Sequence, residues 1–179
     1  MRAVPHRYRA EGWGVGELWV AGRVVLAHEL PSPPPGAATA GAPSGGASAP
    51  TGTLAQSPSR RGDAFVAELC QRLGAHLAGR PPVSYDDVEL DLAGCTDLQR
   101  RLAEALRAVP WGEVVTYGEL AALAGRPRAA RAAGGFCAGN RFALIIPCHR
   151  VVAAGCIGGY GDGGVELKRR LLALEGVSL

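Results

Sequence analysis

A thiol stands beside an imidazole, between two apolar runs, in the stretch Ile145-Ile146-Pro147-Cys148-His149-Arg150-Val151-Val152. The apolar runs predict a buried strand or core segment, and Pro147 restricts the backbone that enters the cysteine. A cysteine beside a histidine can act as a nucleophile with its base. It can equally be a small buried residue next to a hydrogen-bonded histidine. The pair alone favours neither interpretation, so the surrounding sequence has to decide.

Upstream, a capping box predicts a helix that begins after Thr96, because Gln99 follows three residues later. Apolar residues recur at helical spacing, and we expect Trp111-Gly112 to end the helix. The residues of this stripe are Leu98, Leu102, Leu106 and Val109.

A second capping box, Thr116 with Glu119, starts a short helix that stops at Gly125. Pro127 is then predicted as the first residue of another helix through Ala138. Two short helices joined by a tight turn are typical of a helix-turn-helix, which binds DNA.

The second of these helices carries small residues and two arginines, Arg128 and Arg131. Its glycines, Gly134 and Gly135, destabilise a helix by about 1 kcal/mol each relative to alanine. Close packing against another helix would explain them. Small side chains that enter the minor groove, about 6 Å wide, would explain them too. Both explanations can hold on opposite faces, with the arginines placed to bind phosphate or, for one of them, to occupy space inside the duplex.

The chain resembles the O6-alkylguanine-DNA alkyltransferases over about residues 96–176, where several motifs of that family occur in the same order. The resemblance rests on five boxes and Asn140: Val109-Pro110-Trp111-Gly112-Glu113-Val114-Val115-Thr116-Tyr117-Gly118-Glu119-Leu120-Ala121, Ala129-Ala130-Arg131-Ala132-Ala133-Gly134-Gly135, Pro147-Cys148-His149-Arg150-Val151, Gly158-Gly159-Tyr160 and Leu171-Leu172-Ala173-Leu174-Glu175-Gly176. It implies direct repair of O6-methylguanine, and of O4-methylthymine, by irreversible transfer of the alkyl group onto the protein's own cysteine. Each molecule would act once, without a cofactor.

Four catalytic residues follow from the resemblance. Cys148 is the nucleophile, and His149 is its base, acting through a water because adjacent side chains rarely meet directly. Glu175 orients the histidine, and Asn140 fixes the turn that carries the cysteine. This is the logic of a nucleophile, a base and an orienting group, which is recognised by roles and not by chain order.

The resemblance also implies how double-stranded DNA is held. Arg131 matches the arginine finger that replaces a flipped guanine, and Tyr117 matches the tyrosine that contacts the flipped nucleotide. Flipping is needed because O6 of a paired guanine faces into the base stack. Arg128, Ala132 and Gly135 are the further residues expected at the DNA.

The pocket for the flipped base is expected from Tyr117, Val151, Tyr160, Gly161 and Asp162. The carbonyls of Cys148 and Val151 and an amide near Gly161 would recognise the base. The glycine-rich stretch 155–164 fits a loop that shapes a pocket wall, although its composition alone equally suits a mobile surface loop.

Two residues depart from the family pattern. Arg141 follows Asn140, where many members have proline, and resembles the alkyltransferase half of bacterial adaptive-response proteins. Asp162 stands where a small residue is common, and its carboxylate would repel phosphate or narrow the range of alkyl groups.

The N-terminal part resembles the small α/β domain of the family loosely. Residues 17–26 predict two short strands around a glycine turn, and residues 83–92 predict a further strand. Between them, residues 31–62 are rich in Pro, Gly, Ala and Ser, which predicts a flexible surface insertion. A helix is expected from Asp63 to Gly79, because apolar residues recur every fourth position at Phe65, Leu69, Leu73 and Leu77.

Composition sets the remaining expectations. The chain has 179 residues and a net charge of +3, which is too mild to identify a nucleic-acid partner. Apolar runs are too short to span a membrane. Five cysteines without CxxC spacing indicate free thiols, hence a cytoplasmic protein, which we expect to be monomeric. No metal is expected, because the candidate ligands are scattered, namely His6, His28, Cys70, His76 and Cys95.

The fold class predicted is α/β, more narrowly α+β. A small N-terminal α/β domain, residues 1–92 with the insertion, precedes a mainly helical alkyltransferase and DNA-binding domain, residues 93–179. Two other functions compete with repair. Relatives that sense lesions without repairing them carry tryptophan where this chain has Cys148, and a cysteine hydrolase would leave the helix-turn-helix unexplained.

Overall fold

The computed structural model describes residues 3–32, 60–81 and 84–179, without the side chains of residues 60–63 and 162. It is a mixed α+β structure with a four-stranded sheet, a two-stranded sheet and five α-helices among these residues. Buried apolar residues from both halves of the chain form one continuous core. No helix in the described ranges is long and apolar enough to cross a membrane.

The larger sheet has strands β1 (Val4–Ala10), β2 (Gly14–Ala21), β3 (Val24–Ser32) and β4 (Glu89–Leu90), in that spatial order. The first three are antiparallel, and β4 pairs parallel with β3. The β2–β3 hairpin confirms the two strands predicted around a glycine turn, because Gly22 takes a φ of 68° that glycine adopts without strain. Strand β1 has no counterpart in the predictions.

Helix α1 (Arg60–Leu77) buries every residue of the predicted apolar stripe. It ends before Gly79, whose φ is 71°. The Trp13 indole donates a hydrogen bond of 2.8 Å to the Leu77 carbonyl, which ties the last turn to the sheet region.

Two boundaries of the N-terminal predictions were wrong. Pro31 and Ser32 belong to β3 and residues 60–62 belong to α1, so the predicted insertion is too wide at both ends; its residues 33–59 lie outside the described part. The strand predicted over 83–92 shrinks to Glu89–Leu90, because residues 84–88 turn back through hydrogen bonds of 3.0 Å from the Asp86 amide to Ser84 Oγ and 2.9 Å from the Val88 amide to the Tyr85 carbonyl. Val83 lies outside the described residues.

Helix α2 (Asp97–Arg107) begins with the predicted capping box, in which Thr96 and Gln99 bond each other's backbone amides. It ends at Arg107, earlier than the Trp111-Gly112 predicted. Pro110 has no amide hydrogen with which to continue the helical ladder. The chain instead turns through Gly112, whose φ is 78°.

A second sheet joins β5 (Val115–Thr116) and β6 (Val151–Val152) in parallel. Helix α3 (Tyr117–Leu123) follows β5 directly, with both bonds of the predicted Thr116–Glu119 capping box. Helix α4 (Ala130–Ala138) starts three residues later than predicted, since Pro127 lies in a turn closed by a 2.8 Å bond from the Ala129 amide to the Arg126 carbonyl.

A single 3₁₀ turn (Cys148–Arg150) leads into β6, and another (Gly161–Gly163) leads into helix α5 (Gly164–Leu174). The apolar residues before the first turn form no strand, so of the two predicted alternatives, a buried strand or a core segment, the second is confirmed. Ile145 and Ile146 fold back on themselves, with bonds from the Ile145 amide to Ala143 (2.9 Å) and from the Ile146 amide to Phe142 (2.8 Å). They are buried in the core all the same.

Candidate active site

Cys148 opens the 3₁₀ turn and is 8% exposed. Asn140 holds the loop that leads to it: its Nδ2 donates to the Ile146 carbonyl at 2.8 Å and to Cys148 Sγ at 3.0 Å, and its Oδ1 accepts from the Phe142 amide at 3.0 Å. Leu144 in this loop has a φ of 66°, which is strained for a residue with a Cβ. One amide side chain thus makes three hydrogen bonds that hold the strained loop in the conformation that leads to the thiol.

His28 in β3 fastens the same loop from the other side. Its Nδ1 lies 2.5 Å from the Ala143 carbonyl, and its amide donates to the Arg141 carbonyl at 2.8 Å. The Tyr8 hydroxyl meets its other nitrogen at 2.7 Å. The larger sheet therefore supports the loop that carries the cysteine.

A cavity of about 260 Å³ opens beside Cys148. Of the predicted pocket residues, Tyr160 and Gly161 line it, and Asn140 joins them; the Asp162 side chain lies outside the described part. Tyr117 and Val151 are not among the described lining residues. Lining residues that were not predicted are His28, Glu29, Leu30, Cys137, Ala138, Ala143, Gly163 and Leu167.

His149 points away from this loop, toward Glu175 at the C-terminal cap of α5. Its Nε2 lies 2.8 Å from Glu175 Oε1, and both side chains are fully buried. With the proton on Nε2 in this bond, Nδ1 is the basic nitrogen, and it has no hydrogen-bond partner among the described residues. The predicted contact between His149 and Glu175 is therefore present in the structure.

Arg150 makes two hydrogen bonds to Glu175, a role the sequence did not suggest. Its Nε donates to Oε2 and its terminal nitrogen to Oε1, both at 2.9 Å. A further bond of 2.6 Å reaches the Val109 carbonyl, and the Gly112 amide donates to Oε2 at 3.2 Å. The arginine was visible in the motif beside the histidine, but nothing local indicated its partner.

Burial sets the protonation of the reactive groups. It raises the pKa of the Cys148 thiol, which hydrogen bonds from Asn140 and Tyr160 oppose. It lowers the pKa of His149 to about 4, although Glu175 opposes this. Burial would raise the pKa of Glu175, but the contacts with His149, His76 and Arg150 outweigh it and hold that pKa well below its usual range. Near neutral pH the site therefore holds a thiol, a neutral imidazole and a carboxylate.

Lys168 in α5 is a second buried cation that the sequence did not reveal. Its ammonium donates to the carbonyls of Val151 (2.5 Å), Ile157 (2.7 Å) and Gly159 (3.2 Å). The Val151 carbonyl, expected to recognise the base, is thus engaged by a lysine. A lysine in an amphipathic helix is ordinarily exposed, so no local signal could have found it.

Of the five residues predicted at the DNA, Tyr117 is half-buried at the start of α3, and the other four lie on or just before α4. Arg128, Arg131, Ala132 and Gly135 are all exposed. A Cβ on Gly135 would meet nothing within 4 Å, and one on Gly134 would meet the Tyr117 ring at 3.9 Å, an ordinary contact. Packing therefore requires neither glycine. Arg141, which departs from the family pattern, donates a hydrogen bond of 2.5 Å to the Asp91 carbonyl. It therefore links two segments at the surface.

Three groups with metal-ligating atoms converge in the described part: His76, His149 and Glu175 offer atoms within 4.8 Å of one another. The Arg150 guanidinium occupies both oxygens of that carboxylate. A divalent cation here would lie against the buried positive charge of Arg150. We therefore interpret these contacts as hydrogen bonds and electrostatic contacts of N–H groups to the carboxylate, and the absence of a metal stays a prediction.

Comparison with known proteins places this geometry in context. Residues 97–177 match the family model described as 6-O-methylguanine DNA methyltransferase, DNA binding domain. A methylated-DNA–protein-cysteine methyltransferase of Mycolicibacterium paratuberculosis is 47% identical over 106 residues, which cover 59% of this chain and 62% of that protein. The protein of the same name from Mycobacterium leprae is 44% identical over 123 residues, or 66% of this chain and 72% of the relative.

The chain belongs to the methylated-DNA–protein-cysteine methyltransferase family. A solved structure of Mycobacterium tuberculosis OGT in complex with DNA agrees with this membership: it is 34% identical, with a TM-score of 0.64, and the match covers 98% of this chain and 92% of that one. The α+β class predicted for this methyltransferase family member is confirmed at that coarse level. Against the Mycolicibacterium paratuberculosis methyltransferase, the chain spans less than two thirds of the relative's length.

Proposed function

We propose that this chain repairs DNA by moving the alkyl group of O6-methylguanine, and of O4-methylthymine, onto Cys148 in a single irreversible turnover. The observation that carries the proposal is the placement of the Cys148 thiol, held by Asn140, at the wall of a cavity of about 260 Å³. The names of the relatives and the DNA complex of Mycobacterium tuberculosis OGT support it.

The protonation states suit an in-line displacement at a saturated carbon. Cys148 begins as a thiol, so a base must remove its proton before it attacks. His149 is neutral and presents Nδ1 as that base, with a water as the link to the thiol and Glu175 as the orienting group.

The reaction balances without a cofactor. The sulfur–carbon bond forms as the oxygen–carbon bond breaks, and guanine leaves with that electron pair and gains a proton in place of the one His149 took. The resulting thioether is not cleaved by thiols or bases under ordinary conditions. The enzyme therefore ends as its own product.

Helices α3 and α4 serve in this proposal as the helix-turn-helix that holds the duplex. Both arginines are exposed: Arg128 contacts phosphate, and Arg131 fills the gap left by the flipped base. Ala132 and Gly135 allow a close approach to the minor groove. Gly135 supports this role because packing gives no reason for it. Tyr117, half-buried at the start of α3, contacts the flipped nucleotide.

The remaining assignments stay predictions. They are the two domains, residues 1–92 and 93–179, a monomeric state and a cytoplasmic location. The flipped base is held between Tyr160 and the backbone at Gly161, which both line the cavity beside Cys148.

Intact mass spectrometry tests the function after incubation with a duplex that contains one O6-methylguanine. We expect one added methyl group, mapped to Cys148 by digestion, and no further gain with excess DNA. Cys148→Ala should gain no mass yet still bind the duplex. An unmodified wild-type protein that binds the lesion would instead indicate a lesion sensor.

The DNA-binding role is tested by comparing Arg131→Ala with Arg7→Ala, an exposed arginine of β1 that pairs with Glu17. Arg131→Ala should slow repair of duplex DNA far more than reaction with free O6-benzylguanine, and Arg7→Ala should slow neither. Equal losses on both substrates would contradict the finger role. Binding to duplex should also weaken as salt rises.

A further inference from the structure

His76 brings a second imidazole to the carboxylate that orients His149. It lies in the last turn of α1, is fully buried, and places Nε2 3.2 Å from Glu175 Oε1. That is the oxygen that His149 Nε2 meets at 2.8 Å. The two imidazole rings are edge to face, with centroids 5.8 Å apart.

The surroundings of His76 fix which of its nitrogens carries the proton. The Glu175 carboxylate can only accept, so the Nε2 that faces it at 3.2 Å carries the proton, and the Tyr85 hydroxyl, 3.4 Å from Nδ1, donates to the other nitrogen. A neutral imidazole that accepts at Nδ1 carries its proton on Nε2. That N–H is aimed somewhat off the line to Oε1, so the contact is electrostatic more than a well-formed hydrogen bond, and Nε2 has no other partner among the described residues.

The charges around the cluster balance only when both histidines are neutral. The groups that face His76 are Glu175, Arg150, His149, Tyr85 and the Trp111 ring at 4.8 Å. One carboxylate and one guanidinium cancel, so a proton on either imidazole leaves a buried net positive charge. A proton on His149 is therefore opposed by the neighbouring N–H of His76, which competes for the same oxygen.

We propose that His76 is a positioning residue for the alkyl-transfer reaction: through Glu175 it fixes the orientation of His149 and keeps that base free of a proton in mildly acidic solution. This inference rests on the proposed function of Cys148 and His149. It makes a residue of the N-terminal helix α1 part of the support of the reactive centre, although it touches neither the thiol nor the substrate cavity.

Two substitutions separate this role from simple packing. His76→Phe keeps a ring against Trp111 but removes the N–H, whereas His76→Gln keeps a donor for Glu175 and cannot titrate. Leu73→Ala, one turn earlier in the same helix and fully buried, is a control that destabilises α1 without touching Glu175. Thermal unfolding of each variant establishes that all are folded at the assay temperature.

The rate of covalent reaction with free O6-benzylguanine is measured from pH 4.5 to 8.5, so that DNA binding plays no part. We expect His76→Phe to lower the plateau rate about fivefold, the effect of about 1 kcal/mol on a barrier, and to move the acid limb to higher pH by roughly half a unit or more. His76→Gln should restore most of the plateau rate. Leu73→Ala should leave the position of the acid limb unchanged.

A titration of the histidine side chains by NMR supplies an independent readout of the same coupling. In His76→Phe, the His149 resonances should titrate at higher pH than in the wild type. Identical His149 titrations and identical acid limbs in the two proteins would overturn the positioning role. If the wild type forms an adduct with neither O6-benzylguanine nor a duplex that contains O6-methylguanine, the proposed function fails instead, and the titration still decides whether His76 is coupled to His149.

Discussion

Replacing Glu175 by glutamine tests whether the buried carboxylate holds the site together. The substitution keeps the shape of the side chain but turns one of its oxygens into an NH₂ group. Every neighbour is a donor: Oε1 faces His149, His76 and Arg150, and Oε2 faces Arg150 and the Gly112 amide. Whichever way the amide is turned, it sets donor against donor on one side and leaves the Arg150 charge uncompensated.

The magnitude follows from these contacts. Breaking a buried ion pair by removing one charge costs about 3–5 kcal/mol, and we expect Glu175→Gln to lower the free energy of unfolding by that amount. The control is Glu166→Gln, in a pair with Arg169 whose side chains are 86% and 51% exposed. Exposed pairs contribute at most about 1 kcal/mol.

Urea unfolding at pH 7.5, followed by tryptophan fluorescence, measures both variants. A loss in Glu175→Gln no larger than that in Glu166→Gln would refute the reasoning. A double-mutant cycle with Arg150→Leu and Glu175→Leu adds a second test, because residues in one hydrogen-bonded network should show a coupling of at least about 1 kcal/mol.

Three further predictions concern other parts of the structure. Lys168→Met should speed amide hydrogen exchange in residues 157–160, since it removes the ammonium that binds those carbonyls; unchanged exchange would contradict the role. Gly112→Ala should lower the melting temperature, because φ is 78° and the new Cβ would lie 3.1 Å from a carbonyl oxygen, whereas Gly74→Ala, in open space within α1, should raise it. Stability should fall as pH drops from about 6.5 to 4, because His28 and His149, with pKa values of about 4 in the fold, take up protons more readily when unfolded. Each such histidine contributes about 1.4 kcal/mol per pH unit in that window, and urea midpoints that do not change between pH 7 and 5 would exclude this.

Local signals predicted the elements that local forces build. The capping boxes at Thr96 and Thr116 mark the starts of α2 and α3 because each is a pair of hydrogen bonds within four residues. The stripe of α1 was predicted from apolar residues at every fourth position, and Gly22 marks the hairpin turn. The start of α4 was misplaced because Pro127 suits a turn as well as a first helical turn.

The parts of the site that escaped prediction depend on contacts between distant segments. Glu175 was assigned to His149 by resemblance, but its bonds to Arg150 and its contact with His76 arise only when α1, α5 and the 3₁₀ turn meet. Burial of Lys168 depends likewise on the path of a loop that lies before it in the chain. Strands β5 and β6 have two residues each, which is too few for an alternating pattern of apolar and polar residues to be recognised in the sequence.

The 3₁₀ turn at Cys148–Arg150 also dictates how this stretch can vary in length. Three residues complete one such turn, so successive side chains point about 120° apart. The thiol therefore faces the cavity while the next two side chains reach Glu175 and the Val109 carbonyl. Inserting or deleting one residue just before Cys148 would turn all three side chains to new directions, and a change inside the turn would redirect those that follow it. The turn therefore constrains its own length as well as the identity of its three side chains.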